Sequence, residues 1–213
     1  MKGLDWGILW QYRMALAGGL AMTLAVSALA IAGATLVGVL VGCLRASNSY
    51  LLQRLSNAYV ELLRNLPLIV KLFFLYFVVG LPVLPAALTA LVMHQSAYIA
   101  DVTAAGLRSV GRGQVDAGLS LGLTGWRVYR LIVLPQIVRV MLPPMTSQYV
   151  SVIKNTSVVA LIGVADLTFQ TQQINVETFR GFEAATAATL LYMLVAGAMI
   201  ALMARLERRL SLQ

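Results

Sequence analysis

Apolar residues in this chain do not alternate with polar ones at the period of a half-buried strand; they run on without interruption. No Asp, Glu, Lys or Arg occurs between Met14 and Leu44, nor between Ala184 and Ala204. A helix needs about 20 apolar residues to cross the hydrocarbon of a bilayer, so each run is long enough to span. The pattern predicts an all-α membrane protein with spans at about 16–44, 57–81, 86–106, 140–164 and 184–204, in a single transmembrane domain covering 1–213. The second span is interrupted by Glu61, Arg64, Pro67 and Lys71, and Pro67 is expected to kink or open it. Pro82 and Pro85 mark a short turn before the third.

Charge orients these spans. Ten of the sixteen basic residues (Arg45, Arg54, Arg108, Arg112, Arg127, Arg130, Arg139, Arg205, Arg208 and Arg209) fall in segments on one side. The opposite loops hold only Arg180, and the N-terminal tail adds Lys2 and Arg13. Arginine-rich loops stay in the cytoplasm, so the expectation is an N-terminus outside, a C-terminus inside and a cytoplasmic loop at about 108–139. The first span carries Ala30, Ala34, Gly38 and Gly42 on one face, a spacing that lets two helices approach closely. Packing within the chain is the expected use of that face; a seam between two subunits is the alternative.

Composition agrees with this picture and narrows it. Sixty per cent of residues are hydrophobic, 11% are charged and the mean hydropathy is +0.83, which excludes an ordinary soluble domain. Met1–Arg13 carries Asp5, Trp6, Trp10 and Tyr12 ahead of an apolar run far longer than the ~7–15 residues of a signal peptide. An uncleaved first helix with an interfacial aromatic belt is expected. The net charge of +8 reflects the loop arginines rather than nucleic-acid binding. A single cysteine, Cys43, rules out an internal disulfide. One histidine, His94, and no Cys/His/Asp/Glu cluster at ligand spacing argue against a metal site.

The segment between Arg108 and Arg139 holds the main motif. Val115, Leu119, Leu123 and Trp126 fall at helical spacing beside Ser120, Thr124 and Arg127, giving a narrow apolar stripe. Such a stripe suits a helix lying on the membrane interface or on its own bundle, or one that docks on a partner. Within it Asp116-Ala117-Gly118 is followed by Gly122, then by Ile132, Leu134 and Pro135. This order and spacing resemble the EAA loop of ABC importer permeases, with aspartate for the glutamate and Gly118 for the second alanine. Gly118 is expected to loosen the helix, since glycine costs ~1 kcal/mol against alanine.

The resemblance extends from about residue 20 to 210. Tyr59-Val60-Glu61-Leu62-Leu63-Arg64-Asn65-Leu66-Pro67-Leu68-Ile69-Val70, Gly111-Arg112-Gly113-Gln114, Leu142-Pro143-Pro144-Met145-Thr146 and Lys154-Asn155-Thr156-Ser157 are similar to segments of polar amino-acid permeases. Glu61-Leu62-Leu63-Arg64-Asn65 and the Pro-Pro-Met-Thr-Ser run look closest to glutamate/aspartate permeases. Glutamine, histidine, arginine and opine permeases remain alternatives.

The family implies a type I importer permease in the bacterial inner membrane. Two cytosolic ATPases would grip Gln114, Asp116, Ala117, Gly118, Gly122, Leu134 and Pro135. A second permease subunit, in the acidic amino-acid branch commonly a different but related chain, would complete the pathway, and an extracytoplasmic binding protein would deliver the amino acid. ATP and Mg would be used by the ATPases, with no cofactor on this chain. The sequence agrees: no Gly-x-x-x-x-Gly-Lys-Ser/Thr loop is present, and neither Lys2, Lys71 nor Lys154 follows a glycine.

Polar residues within the spans are candidates for the pathway. A lysine at mid-bilayer costs ~2.5–3.5 kcal/mol on insertion scales, so Lys154 is expected to face a cavity or a partner. Ser147, Ser151, Lys154 and Ser157 share one face, and an ammonium there suits a substrate carboxylate, with Asn155, Thr156 and Ser157 adding hydrogen bonds. A snorkelling lysine or an ion pair is the alternative. His94, Tyr98 and Asp101 share a face of the third span. Asp101 either borders the pathway or ties two spans through Arg64 or Lys71. A self-contained channel or secondary transporter is the competing class, but the spans show no repeated pattern. A membrane-embedded enzyme would need a nucleophile–base pair, which is missing.

Overall fold

Every regular element is a helix among residues 4–211, which the computed structural model describes; Lys2, assigned above to the outer tail, lies outside them. A short α1 (Gly7–Gln11) leads into α2 (Arg13–Arg45). Then come α3 (Tyr50–Asn65) and α4 (Leu68–Phe73), the latter prolonged by a π-turn at Phe74–Val78. After α5 (Val83–Ser109) lies the short α6 (Arg112–Ser120). α7 (Gly125–Val128), a π-turn at Tyr129–Val133, α8 (Leu134–Asn155) and a 3-10 segment at Thr156–Ile162 form one continuous rod. α9 (Leu167–Thr178) and α10 (Gly181–Ser211) complete the chain.

Among the described residues four helices are long and apolar enough to cross a membrane: Arg13–Arg45, Val83–Ser109, Gly125–Ile162 and Gly181–Leu210. The expected second span is not one helix. Leu66 (φ −94°, ψ 129°) and Pro67 (φ −57°, ψ 147°) are extended, so α3 stops at Asn65 and α4 starts afresh at Leu68. The cause is proline geometry: its ring drives the preceding residue out of the helical region and it offers no N–H to the turn before. The rod beginning at Gly125 also shortens the expected 108–139 loop, because its second half is helical and leads straight into α8. Pro135 sits at the start of α8, next to the π-turn, where its missing donor costs little.

The core forms where α5 meets its neighbours. Ala30, Ala34, Gly38 and Gly42 are all buried in α2, and the glycines of this face rest on α5. A Cβ on Gly38 would come within 2.6 Å of Ile99 and 2.8 Å of the Ser96 carbonyl; one on Gly42 would come within 2.5 Å of Thr103. The stripe of small residues is therefore an intrachain seam, where backbones approach because side chains are absent. Val26, Ala30, Leu72, Ala86, Ala90, Leu91, Val152 and Val159 extend this core between α2, α4, α5 and the α8 rod. Large apolar residues such as Leu29, Leu36, Leu40, Leu190 and Leu194 are exposed, as expected of surfaces that meet lipid.

α9 falls in the segment read from sequence only as an outer loop. Asp166 caps its start by accepting the Phe169 N–H at 2.9 Å and is completely buried. Leu167, Ile174, Ile8, Leu16, Ala184 and Ala188 form a second core joining α1, α2, α9 and α10. Burial pushes the Asp166 carboxyl above its ordinary range; the hydrogen bonds from Phe169 and Tyr192 offset this in part.

Candidate functional site

Two features stand out: a polar groove within the bundle, and the surface of α6 at the end where α5 finishes. The groove lies between α5 and α8. Its lining is His94, Gln95, Tyr98, Gln148, Ser151 and Asn155, around about 300 Å³. Gln148, Ser151 and Asn155 recur at helical spacing on α8, and His94 and Tyr98 do so on α5. Gln95, buried at 2% exposure, donates its Nε2–H to Gln148 Oε1 at 2.5 Å, tying the two walls together. No formally charged side chain lines the groove.

Charges sit behind it. Lys71 is buried in α4, where its ammonium donates to the Leu63 carbonyl at 2.7 Å and lies 2.8 Å from His94 Nδ1. The Leu63 carbonyl belongs to the last turn of α3, left without an intrahelical donor by the break at Pro67. Lys71 thus caps α3 from α4, with the cation at the negative end of the helix dipole. Asp101 is held by both Arg45 and Arg64, so α2, α3 and α5 are tied by one carboxylate. The Arg64 guanidinium also lies 5.2 Å from the Tyr98 ring centroid. Arg45 takes the place that the sequence reading left open for Lys71, and Lys71 turns to His94 instead.

The Lys154–Ser157 run divides between two sides of α8. Lys154 and Ser157 line a cavity of about 490 Å³ against Thr189, Tyr192, Met193 and Gly197 of α10. Asn155 faces the α5 groove. Thr156 is completely buried and returns its hydroxyl to the Ile153 carbonyl at 2.7 Å. Adjacent residues of a helix are about 100° apart, so the four do not converge on one ligand. Lys154 makes no ion pair among the described residues.

At the far end, α6 terminates in a Schellman motif. The Leu123 N–H bonds the Gly118 carbonyl at 3.2 Å and the Gly122 N–H bonds the Leu119 carbonyl at 2.9 Å, with Gly122 at φ +78°. Only a residue without Cβ takes that conformation at no steric cost, which gives the glycine of the motif its physical reason. Gly118 is buried: a Cβ there would fall 2.9 Å from Val128 and from Ile132, so its absence seats α6 on the rod. The sequence reading saw only the lost propensity. Gln114 accepts from Gln136 Nε2 at 2.6 Å, which ties α6 to the start of α8 near Leu134 and Pro135. Asp116, Ala117, Leu119, Leu121, Leu131 and Trp126 remain exposed. Leu121 is 82% exposed, an unusual loss of apolar burial for a leucine at a helix end.

A bundle of apolar helices with a polar groove inside and an exposed short helix at one end has the form of a membrane transport subunit. The chain belongs to the family of binding-protein-dependent transport system inner membrane components, which matches residues 34–212. It is an amino-acid ABC importer permease with type I architecture. It is 33% identical to the glutamine transport system permease protein GlnP of Escherichia coli (strain K12), over 98% of each chain. It is 32% identical to the glutamate/aspartate import permease protein GltJ of the same strain, covering 98% of this chain and 95% of that one. Among solved structures, the crystal structure of an amino acid ABC transporter with histidines superposes with a TM-score of 0.89 at 29% identity, over 97% of this chain and 99% of the other. An inward-facing MetNI methionine ABC transporter, at 19% identity, covers 94% of this chain and 98% of its own with a TM-score of 0.80, a likeness of fold.

Gln95, Gln148 and the Lys71–His94 contact were not singled out from sequence. The signal was there for Gln148, which stands three and seven residues before Ser151 and Asn155 in an otherwise apolar span. The contact of Lys71 with His94 joins separate helices, and no local pattern announces it.

Proposed function

We propose that this chain carries glutamine, as one wall of an ATP-driven importer, through the groove between α5 and α8. The observation behind the substrate is the lining of that groove: amides, hydroxyls and an imidazole, with no charged side chain. Such a surface pairs with a carboxamide through neutral donors and acceptors, and the lining itself offers a side-chain carboxylate no charged partner in direct contact. Glutamine is therefore preferred to the glutamate or aspartate suggested by the motifs, in keeping with the resemblance to GlnP.

The remaining assembly follows the family. Two ATPases bind the α6 surface around Gly122 and hydrolyse ATP with Mg; this chain does no chemistry and holds no cofactor, consistent with a sequence lacking a nucleotide-binding glycine–lysine loop. A second permease subunit, related or identical, faces this one, and an extracytoplasmic binding protein delivers the substrate. The N-terminus is outside and the C-terminus cytoplasmic, as the arginines of the α6 end favour. ATP binding then shifts the helices between inward- and outward-facing arrangements.

The test is uptake into proteoliposomes containing the complete transporter, its ATPases and its binding protein. Cys43 is replaced by alanine and Ser151→Cys placed in the groove. Labelling that cysteine with a bulky maleimide is expected to stop uptake of radiolabelled glutamine. Full uptake after complete labelling refutes the groove as the route, and faster uptake of glutamate than of glutamine refutes the substrate.

A further inference from the structure

His94 is the only histidine of the chain, and its two ring nitrogens meet different surroundings. Nδ1 lies 2.8 Å from the Lys71 amine. Among the described residues Nε2 makes no hydrogen bond; it is also absent from the polar atoms that are both sealed and unpartnered, namely Ser27 Oγ, Ser47 Oγ and Thr103 Oγ1. Nε2 is thus not sealed, and the ring that carries it lines the groove. The ring is fixed on a third side by Tyr98, whose ring meets it edge-on at 5.3 Å.

The chemistry of Lys71 decides the proton on His94. An ammonium is a donor only, and Lys71 already gives one proton to the Leu63 carbonyl at the end of α3, where the helix dipole favours a cation. With Lys71 charged, Nδ1 accepts, and a neutral imidazole that accepts at Nδ1 carries its proton on Nε2. The side facing the groove is a fixed donor. A cation held directly behind it also disfavours a second positive charge in front of it.

We propose that His94 is a specificity-determining residue: locked in its Nε2–H form by Lys71, it donates to the side-chain carbonyl oxygen of the amino acid in the groove and disfavours cationic side chains. Lys71 is its positioning residue. This rests on the groove being the substrate route.

The conservative variants separate the two nitrogens. In His94→Asn the amide oxygen stands near Nδ1 and still accepts from Lys71, but no donor reaches the position of Nε2. In His94→Gln the amide nitrogen reaches that position. In the complete transporter with saturating binding protein, His94→Asn is expected to lower glutamine uptake about tenfold, the effect of one lost hydrogen bond. ATPase stimulation by loaded binding protein and the thermal midpoint are expected to stay near wild type, so fewer glutamines cross per ATP. His94→Gln is expected to restore most of that ratio. A residue with only a structural role would lower uptake, ATPase and thermal midpoint together.

A second readout is nitrogen NMR of the histidine-labelled transporter. The one signal pair that His94→Gln removes is expected to show a bare Nδ1 and a protonated Nε2, and Lys71→Met is expected to mix the two tautomers. A protonated Nδ1 in wild type, or an unchanged glutamine-to-ATP ratio in His94→Asn, overturns the proposal. If blocking Ser151→Cys stops uptake while His94→Asn changes nothing, the groove stands and only the role of His94 falls; if the blocked groove still transports, both fall.

Discussion

Replacing Gly122 separates two demands that the α6 surface makes on one position. Its φ of +78° lies in the left-handed region, and nothing comes within 4 Å of where a Cβ would stand. Gly122→Ala therefore meets no clash inside the subunit and pays only the backbone strain, about 1–2 kcal/mol. For a chain of this size that corresponds to roughly 2–4 °C of thermal midpoint per kcal/mol. Gly122→Asn is expected to cost less, since asparagine visits this region more readily. Gly122→Arg adds the same strain and also projects a long cation onto the face beside Leu119 and Leu121, where an ATPase is proposed to sit. The subunit is expected to remain in the membrane at near-normal level in all variants. Uptake should be reduced but measurable in Gly122→Ala and lost in Gly122→Arg, with the ATPase no longer co-purifying. The assay is paired: glutamine uptake into proteoliposomes and recovery of ATPase on the tagged permease. Uptake by Gly122→Arg as high as that by Gly122→Ala would refute the docking surface; complete loss in both would show that the turn itself, rather than the face, is what matters.

Other perturbations test the rest of the structure. Gly38→Ala brings a methyl to 2.6 Å from Ile99 and 2.8 Å from a carbonyl oxygen, so a net loss of about 1–3 kcal/mol is expected from overpacking, while Gly18→Ala, with nothing within 4 Å, should be neutral or stabilising; thermal unfolding of the detergent-solubilised subunit reads both. Asp101→Asn releases Arg45 and Arg64 and is expected to cost about 1–2 kcal/mol, kept modest by the partial exposure of the cluster, with proteolysis between α2 and α3 increasing. Asp166→Asn keeps an oxygen for the Phe169 N–H and removes a buried charge. Because burial raises the Asp166 carboxyl above its unfolded value, its contribution favours the fold most at pH below the unfolded value and declines as pH rises through the folded one; the asparagine variant should lose that slope and gain stability near neutral pH, as read by thermal midpoints across a pH series.

Much of the fold was legible because a bilayer imposes a simple rule. Backbone groups must be satisfied within the segment, so long uncharged runs become helices, and α2, α5 and α10 fall where such runs lie, each extended at its ends by a few residues. Pro67 announced its break, and the four-residue spacing of Ala30, Ala34, Gly38 and Gly42 announced a close helix seam. The spacing that ends in Gly122 and Pro135 announced the short helix and its turn, because a Schellman cap is a local requirement. What local chemistry fixes, one sequence can display.

Tertiary structure decided what depends on neighbours from elsewhere in the chain. α9 lacks a long apolar run and becomes visible only through the contact of Leu167 and Ile174 with α1, α2 and α10. Asp101 chose Arg45 and Arg64 over Lys71, because α2 and α3 flank that end of α5 while α4 lies beyond the break. Lys154 and Asn155 are adjacent in sequence yet face different cavities, since a helix turns by about 100° per residue and α8 has neighbours on both sides. Sequence therefore settled which long apolar runs are helices and which residues are polar among them. Which polar residues share a groove, and which nitrogen of His94 looks into it, came from the packing of separate helices, whose contacts carry no local signature.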